Sequence, residues 1–494
     1  MQQESSNAFP LFRYDPGDMY NLRRALAKRE DAATLPELNL WRVEAGPNAL
    51  DTLPSIIHEF APGGTSEILL VQDRRPFVRH GDSLKPLVHS QLTHANFNVE
   101  LLELGDEHGY LHSDFSEVEQ VRTHLHEHTT AVALGSGKIC DVTKHACFEY
   151  EQATGKHVPF VVIQTANSVV AFGSGMATIT KDGVKRTWPS RLPDALILDA
   201  QILRDTPYEY TVGGIGDLSV IAVSFGDWYL GAELGMTQYT QASYDIVDDV
   251  RNLLFAYAAE FRSRSLAGME ILAKLCTLGG FAMTLARQSS PMSGYEHVIS
   301  HMLDMSAEHF GRGVASHGCQ CGISTIVCAI AWQKLLENFK PTMADIPNIV
   351  DACFPSRDAM ERRVRNTFNV LDPSGAMANE CWDSYSQKLE AWYPARPRFE
   401  SFLRNWSQKK VHLAELVHTP AQVVQGLAQA RHPLHYEDLG ITEQQARWAC
   451  QNGHMMRNRF YWADLLHYLG LLDDTFVNDV FIRMRQLIDQ AALV

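Results

Sequence analysis

Short apolar runs alternate with helix-like stretches over roughly the first 200 residues of the chain. Four of these runs, at Glu67–Gln72, Asn98–Leu104, Ala131–Leu134 and Phe160–Gln164, predict buried strands. The pattern ends near Leu196–Leu203. Because strands that alternate with helices form parallel β–α units, the pattern predicts an α/β domain built on a parallel sheet.

Helical spacing of apolar residues dominates after about residue 206. It is clearest at Val247–Ser263, Ala267–Arg287 and Tyr295–Ala307, and near the start of the chain Asp18–Ala33 predicts a short amphipathic helix. A cleft between the α/β part and the helical part is the expected place for a ligand. The predicted domains are an N-terminal appendage over 1–40, an α/β domain over 41–205 and an all-α domain over 206–494.

Composition narrows the class of protein. A chain of 494 residues is too long for one core, and its net charge of −15 argues against a nucleic-acid partner. We find no apolar run long enough for a membrane span, and the polar stretch Met1–Pro10 lacks the apolar centre of a signal peptide. Nine scattered cysteines suggest no disulfide framework, so we expect a cytoplasmic protein in which Cys319 and Cys321 are packing residues.

A short glycine loop follows the third predicted strand. Gly135, Ser136 and Gly137 would let the backbone approach a diphosphate, and amides of a helix starting near Ile139 would face its charge. Cys140 stands where a third glycine would complete the usual dinucleotide motif, so a tight strand-to-helix turn is an equal alternative. At the end of the first strong strand, Asp73 is either a ribose acceptor or a helix cap.

Three segments of the helical part carry candidate metal ligands. Asp217 ends a glycine-rich run at an apparent helix start, where it would alternatively be a helix cap. His297 and His301 are four residues apart on one helical face, and His317 precedes Gly318 in a short loop. One carboxylate, two imidazoles and an open position suit Zn²⁺ or another divalent Lewis acid. Each position alone is more often structural.

These motifs, in this order, resemble the superfamily of iron-containing alcohol dehydrogenases, glycerol dehydrogenase, dehydroquinate synthase and sn-glycerol-1-phosphate dehydrogenase. The bacterial glycerol-1-phosphate dehydrogenase branch is the most similar, over roughly residues 40–475. The resemblance implies a dehydroquinate synthase-like fold, with an NAD(P)-binding domain at 41–205 and a helical metal-binding and substrate domain at 206–494. It also implies a homodimer.

The resemblance assigns roles to residues. It implies that Asp217, His297 and His317 hold one divalent ion (Zn²⁺, Ni²⁺ or Fe²⁺). It implies a catalytic role for His301, for which packing beside the ligands is an even alternative. The residues implied to bind NAD or NADP are Asp73, Gly135, Ser136, Gly137, Asp141, Lys144, Thr165, Ser168 and Ser174.

One segment departs from the family pattern, which reads P-T-A-P-S-x-D-G. Gln164 and Asn167 replace the two prolines, Val170 replaces the aspartate and Ala171 replaces the glycine. That aspartate usually faces substrate hydroxyls, so Val170 predicts an altered substrate pocket.

The resulting hypothesis is a metal-dependent, NAD(P)-linked oxidoreductase that acts on a small alcohol or ketone, phosphorylated or not. One alternative is a lyase or cyclase that recycles bound NAD, as dehydroquinate synthase does. Such enzymes normally have a glutamate as first metal ligand, so Asp217 favours a dehydrogenase. Another alternative is a repurposed member of the family, favoured by Val170. The sequence leaves open the substrate, the metal, NAD against NADP and the oligomeric state.

Overall fold

The structure, a computed structural model, describes residues 10–60, 67–106, 110–181 and 184–492. The chain divides into two compact units: Met1–Gly214 with Ala242–Gln288, and Ile215–Gln241 with Ser289–Val494. Strands in the described ranges are β1 (Arg42–Gly46), β2 (Glu67–Asp73), β3 (Val78–Arg79), β4 (Asp82–Ser83), β5 (Asn98–Leu104), β6 (Thr129–Gly135), β7 (Phe160–Gln164), β8 (Met176–Lys181), β9 (Val184–Pro189) and β10 (Ala195–Asp199).

The helices follow the strands in a β–α alternation and then continue alone. Over the first 288 residues they are α1 (Met19–Ala27), α2 (Leu53–Phe60), α3 (Leu84–His94), α4 (Phe115–Thr123), α5 (Gly137–Thr154), α6 (Ala200–Asp205), α7 (Tyr208–Ser219), α8 (Ser224–Glu233), α9 (Gln241–Ile246), α10 (Asp248–Ala256), α11 (Ala258–Ser263) and α12 (Leu266–Ala286). Beyond residue 288 they are α13 (Tyr295–Met305), α14 (His317–Asn338), α15 (Ile346–Ala352), α16 (Arg357–Phe368), α17 (Ala376–Trp392), α18 (Arg396–Arg404), α19 (Trp406–Leu416), α20 (Pro420–Gln429), α21 (Glu443–Asn452), α22 (Trp462–Tyr468) and α23 (Asp474–Ala491).

A six-stranded sheet forms the centre of the first unit, in the order β1-β10-β7-β6-β2-β5. Every neighbouring pair is parallel. The strands β6, β7 and β10 are buried at every residue, as expected for a parallel sheet covered on both faces. The sequence-based prediction of a parallel α/β domain followed by helices is confirmed.

Two features of this sheet differ from the sequence-based expectation. Strand β5 has the predicted bounds, but it is an edge strand rather than a buried one, and Leu101 is 50% exposed. Some of its apolar residues are exposed because no strand covers that edge. The composition of the run does not indicate whether a strand lies at the edge or in the middle of a sheet. The sequence pattern also missed β1, which pairs with β10 at the other edge, and the antiparallel hairpin β8–β9.

The first unit also includes helices that the sequence assigned to the helical domain. Helix α12 packs against α6, against β1 and against the turn Ala171–Gly173. The predicted appendage is attached to the same unit: Arg29 Nη1 lies 2.6 Å from Asp245 Oδ2, and the backbone amide of Tyr14 donates to Asp249. The two compact units therefore do not end at residues 40 and 205, where the sequence places the domain boundaries. Residues Met1–Phe9 lie outside the described ranges.

The second unit is helical. Its core includes the ring of Trp392, which stacks on Tyr468 and on Phe460 with ring centroids 5.0 Å apart in both pairs. A fully buried ion pair also lies inside it, with Lys388 Nζ 2.7 Å from Asp464 Oδ1.

Helices α12 and α14 are long and apolar enough to cross a membrane by length and composition. The expectation that no apolar run reaches that length is therefore corrected. Within the fold, 83% of the apolar window of α12 and 89% of that of α14 are buried, which is the behaviour of core helices.

Candidate functional site

Four donor side chains of the second unit converge in one place. They belong to Asp217, His297, His317 and Cys321, and their ligand atoms all lie within 4.8 Å of one another. Nε2 of His297 is 3.6 Å from Asp217 Oδ1, and Nε2 of His317 is 3.9 Å from the same oxygen. The three residues singled out in the sequence are thus brought together, and their role as ligands remains a prediction.

Three helices supply these donors. His297 lies in the first turn of α13 and His317 is the first residue of α14. Asp217 lies near the end of α7, not at a helix start as the sequence suggested. The glycines around it serve close packing instead: a Cβ on Gly216 would lie 2.1 Å from the carbonyl oxygen of Gly318. This close approach allows Asp217 to reach the α14 donors.

Each imidazole is oriented by a contact on its other ring nitrogen. Nδ1 of His297 lies 3.1 Å from Glu296 Oε1, and Nδ1 of His317 lies 3.0 Å from Ser300 Oγ. Both rings therefore direct Nε2 at the donor cluster. Metal-binding histidines in proteins are typically held in this way, with the second nitrogen hydrogen-bonded to a carboxylate, carbonyl or similar group.

The electrostatics of the cluster favour a positive charge at its centre. Burial lowers the pKa of His297, but contacts with Cys321, Asp217 and Glu296 outweigh it and raise that pKa well above the ordinary value. Deeper in the unit, burial and the charge of Glu296 raise the pKa of Asp227. Oε2 of Glu296 is a buried oxygen without a hydrogen-bond partner among the described residues. The donor set, its burial and these polarising contacts fit a divalent metal ion.

Two further residues border the donors. The ring of His301 lies 5.3 Å from that of His317 and 6.3 Å from that of His297, centroid to centroid, so the predicted catalytic residue is beside the cluster. Sequence reasoning missed Cys321, which it interpreted as packing. The four-residue spacing from His317 to Cys321 on one helix was the available indication.

The glycine loop lies in the first unit, where β6 meets α5. Helix α5 begins at Gly137, two residues earlier than predicted, and the side chain of Ser136 makes no capping bond in the described structure. The amides of the first turn of a helix have no partner within it, and they are suited to an anion. The loop is also tightly packed, because a Cβ on Gly137 would lie 2.5 Å from Val169 Cγ2.

Candidate cofactor residues share the carboxyl edge of three neighbouring strands. Asp73 ends β2, Gly135 ends β6 and Thr165 follows β7. Dinucleotides bind at this edge in sheets of this kind. Burial raises the pKa of Asp73, although Lys85 and Arg75 oppose the shift. The hydroxyl of Thr165 is buried and without a partner among the described residues, which leaves it for a ligand.

Asp141 and Lys144 form contacts inside the protein. The fully buried Lys144 Nζ lies 2.9 Å from Asp141 Oδ1 and donates to the carbonyl oxygens of Ala171 and Ser174, at 2.9 and 3.0 Å. Asp141 also accepts from the amide of Thr178. The ammonium thus donates two hydrogen bonds to backbone carbonyls and forms an ion pair with the Asp141 carboxylate. In this structure the pair fixes the segment 171–178, and direct contact with a cofactor remains a prediction.

The segment that departs from the family pattern has its own bonding. Gln164 donates to Asn167 Oδ1 at 2.8 Å, and Asn167 donates to the carbonyl oxygen of Met269 at 3.0 Å, so two amides hold the backbone where the family has prolines. Ser174 accepts from the amide of Met176, while Ser168 is partly exposed. Val170 is 7% exposed and precedes the turn Ala171–Gly173.

Comparison with known proteins identifies the relatives of this chain. A profile of the iron-containing alcohol dehydrogenase family matches residues 44–207. Glycerol-1-phosphate dehydrogenase (NAD(P)+) of Methanococcoides burtonii is 31% identical over 276 residues, which are 54% of this chain and 72% of the relative. The chain belongs to the iron-containing alcohol dehydrogenase family. Its sequence relatives place it in the glycerol-1-phosphate dehydrogenase branch, which confirms the assignment made from the motifs.

Other comparisons agree with this membership. The enzyme of the same name from Halalkalibacterium halodurans is 27% identical over 326 residues, 63% of this chain and 77% of the relative. Among solved structures, glycerol dehydrogenase from Schizosaccharomyces pombe is similar with a TM-score of 0.53 at 14% identity, covering 89% of this chain and 90% of that one. A probable glycerol dehydrogenase from Sinorhizobium meliloti gives 0.51 at 16% identity, covering 88% and 97%. At such identities the structures support the fold alone.

Proposed function

We propose that this protein is an NAD(P)-linked, divalent-metal-dependent dehydrogenase of a small alcohol or ketone. The convergence of Asp217, His297 and His317 carries the proposal, because one carboxylate and two oriented imidazoles form an open site for a Lewis-acidic cation. Membership in the glycerol-1-phosphate dehydrogenase branch supplies the reaction class. The proposal includes a homodimer and a cytoplasmic location, and the second is supported by nine cysteines that are all buried and free.

Different residues of the chain would bind the metal, the cofactor and the transferred proton. When bound, the metal would polarise a C–O group and NAD(P) would exchange hydride with its carbon. Glu296 and Ser300 hold the two imidazoles in the orientation that ligation needs. His301, beside His317, would hold or release the proton at the alcohol oxygen. The first turn of α5 and the hydroxyl of Thr165 would bind the dinucleotide.

The substrate pocket is proposed to differ from that of the relatives. Val170 is buried at the position of the family's aspartate, so a charged acceptor for substrate hydroxyls is missing there. We expect a substrate with fewer hydroxyl groups than glycerol phosphate. Restoring the acceptor in a Val170→Asp variant should shift the preference towards dihydroxyacetone phosphate.

The test combines metal analysis with cofactor turnover on the purified full-length chain. We expect one bound divalent ion per chain and net oxidation of NADH or NADPH with a panel of ketones and ketone phosphates. His297→Ala should lose both metal and turnover while its circular dichroism stays unchanged, and His309→Ala, which removes an exposed histidine, should keep both.

Two outcomes would reject the proposal. Normal turnover in the His297→Ala variant would remove the metal site from the mechanism. Product formation with no net change in NAD(P)H would favour the lyase that recycles its bound cofactor.

A further inference from the structure

Cys321 occupies a place in the donor cluster that packing alone does not explain. It is completely buried, and its Sγ lies 3.6 Å from Nε2 of His317. Its ligand atom is within 4.8 Å of those of Asp217 and His297 as well. We propose that Cys321 is a fourth ligand and that its thiolate makes the site better suited to Zn²⁺ than to metals that prefer oxygen donors. The inference rests on the metal site of the proposed function and adds a ligand and a metal to it.

The spacings of the cluster match the edges of a small tetrahedron. With metal–nitrogen and metal–oxygen bonds of about 2.0–2.1 Å and a zinc–sulfur bond of about 2.3 Å, neighbouring donors lie about 3.3–3.6 Å apart. The measured separations are 3.6 Å for Cys321 Sγ to His317 Nε2 and 3.6 Å for His297 Nε2 to Asp217 Oδ1. The third, from His317 Nε2 to Asp217 Oδ1, is 3.9 Å. The other separations are within 4.8 Å, so shifts of up to about 1 Å would place all four donors around one ion.

The helix itself orients the thiol. His317 and Cys321 are four residues apart in α14, so their side chains lie on one face of the helix, a turn apart. Cys319 provides an internal comparison, because it is also buried in the same helix but two residues from either donor. Within the residues that the structure describes, Cys319 belongs to no group of three metal-binding side chains. Both cysteines are buried, but only Cys321 lies close enough to the other donor atoms to share a metal ion with them in the described structure.

The chemistry of the set suits zinc and disfavours metals that prefer oxygen donors. Thiolate is a soft ligand that suits Zn²⁺, whereas Mg²⁺ and Mn²⁺ prefer oxygen donors. Four protein ligands fill a tetrahedral Zn²⁺ ion, so a substrate would enter as a fifth ligand or in place of the thiolate. As a ligand, Cys321 would therefore affect both which metal binds and how a substrate reaches the metal.

Cobalt substitution tests the proposal directly. The full-length protein is stripped of metal and loaded with Co²⁺, and its absorption spectrum and cobalt content are measured. A thiolate ligand gives an intense charge-transfer band in the near ultraviolet that nitrogen and oxygen ligands do not give. We expect this band in the wild type and in Cys319→Val, and its loss in Cys321→Val. We also expect Zn²⁺ affinity to fall at least about tenfold in Cys321→Val.

The outcomes separate this inference from the proposed function. Wild-type protein that binds one Co²⁺ without the band would overturn the fourth ligand and leave the three-residue site standing. Failure of the wild type to bind Co²⁺ or Zn²⁺ would overturn the metal site itself. Absence of the band in the wild type is decisive whether or not Cys321→Val folds. A band that is lost in Cys319→Val and kept in Cys321→Val would overturn the proposal by placing the thiolate on Cys319.

Discussion

At the scale of single residues, the buried ammonium of Lys144 is the most constrained charge near the glycine loop. Its partners are Asp141 and two backbone carbonyls of the segment 171–178, and no part of it is exposed. A buried charge that loses its partner is strongly destabilising, because its desolvation is no longer compensated. The pair therefore couples helix α5 to that segment.

We predict that Lys144→Met lowers the free energy of unfolding by about 3–5 kcal/mol, since it leaves Asp141 buried without its counter-charge. Urea denaturation followed by circular dichroism measures this. The double variant Asp141→Asn with Lys144→Met should lose less than the sum of the single variants, because the remaining group is neutral. Lys138→Met is the matched control: it removes one partly exposed lysine, which donates to the carbonyl oxygen of Leu111 and lies 4.4 Å from the ring centroid of Tyr110, and it should cost about 1 kcal/mol. Equal losses in the two single lysine variants would contradict the coupling.

The chemistry of the residues explains which parts of the metal site could be predicted from the sequence. Asp217, His297 and His317 were predictable because their order and surrounding glycines resemble a family pattern, and the structure brings them together. The place of Cys321 in the cluster was not predictable, because a cysteine in an apolar helix is ordinarily a packing residue. The cofactor role implied for Lys144 stays a prediction, because a motif records which residue is present and not which atoms its side chain contacts.

At the scale of elements, the crossing of α7 and α14 rests on two positions without side chains. A Cβ on Gly216 would lie 2.1 Å from the carbonyl oxygen of Gly318, and one on Gly322 would lie 3.1 Å from Cα of Gly216. Backbone cannot yield as a flexible side chain does, so these glycines set the distance between the helices. Asp217 follows one of them directly, and its reach to the histidines depends on that distance.

We predict that Gly216→Ala forces α7 away from α14, lowers the free energy of unfolding by about 1–3 kcal/mol and weakens metal binding by about tenfold or more. Thermal unfolding and metal titration measure the two effects. Gly231→Ala, in α8 of the same unit, is the control: its nearest neighbour would be a methyl of Thr237 at 3.3 Å, and it should change neither property appreciably. Normal metal affinity in Gly216→Ala would contradict the role given to the crossing.

Elements were largely predictable from the sequence, but their partners were not. Apolar spacing gave α12 and α13 to within one or two residues, and β5 and β7 with their observed bounds. The same spacing does not tell what a helix packs against, so α12 was assigned to the helical domain although it packs in the first unit. The run 247–263 divides into α10 and α11 at Tyr257, a break that its spacing does not indicate.

At the scale of the whole molecule, a histidine with a lowered pKa makes stability depend on pH. Burial, followed by the charges of His454, Arg363 and Lys388, lowers the pKa of His467 to about 2. In the unfolded chain the pKa is about 6.5, so below that pH the unfolded state binds a proton that the folded state does not. The folded state therefore loses stability as the pH falls from about 6.5 towards about 2.

We predict that the free energy of unfolding decreases between about pH 6.5 and about pH 5 by up to about 1.4 kcal/mol per pH unit on account of His467. Urea denaturation at several pH values measures this slope. His467→Phe keeps a ring of similar size and cannot titrate, so the slope should become shallower. His309→Phe, at an exposed position, should leave it unchanged. An unaltered slope in His467→Phe would contradict the assignment.

The edge position of β5 has a consequence for solubility. The edge strand of a sheet has unpaired backbone hydrogen-bonding groups, and an apolar edge strand can pair with a strand of a second molecule. Here the exposed Leu101 is accompanied by Glu100 and Glu103, whose carboxylates pair with His124 and Arg74 across the surface. A second copy of the same edge would bring like charges together. The two glutamates thus act as gatekeepers against aggregation, and a chain in which both were neutralised would be expected to form intermolecular β-structure on heating.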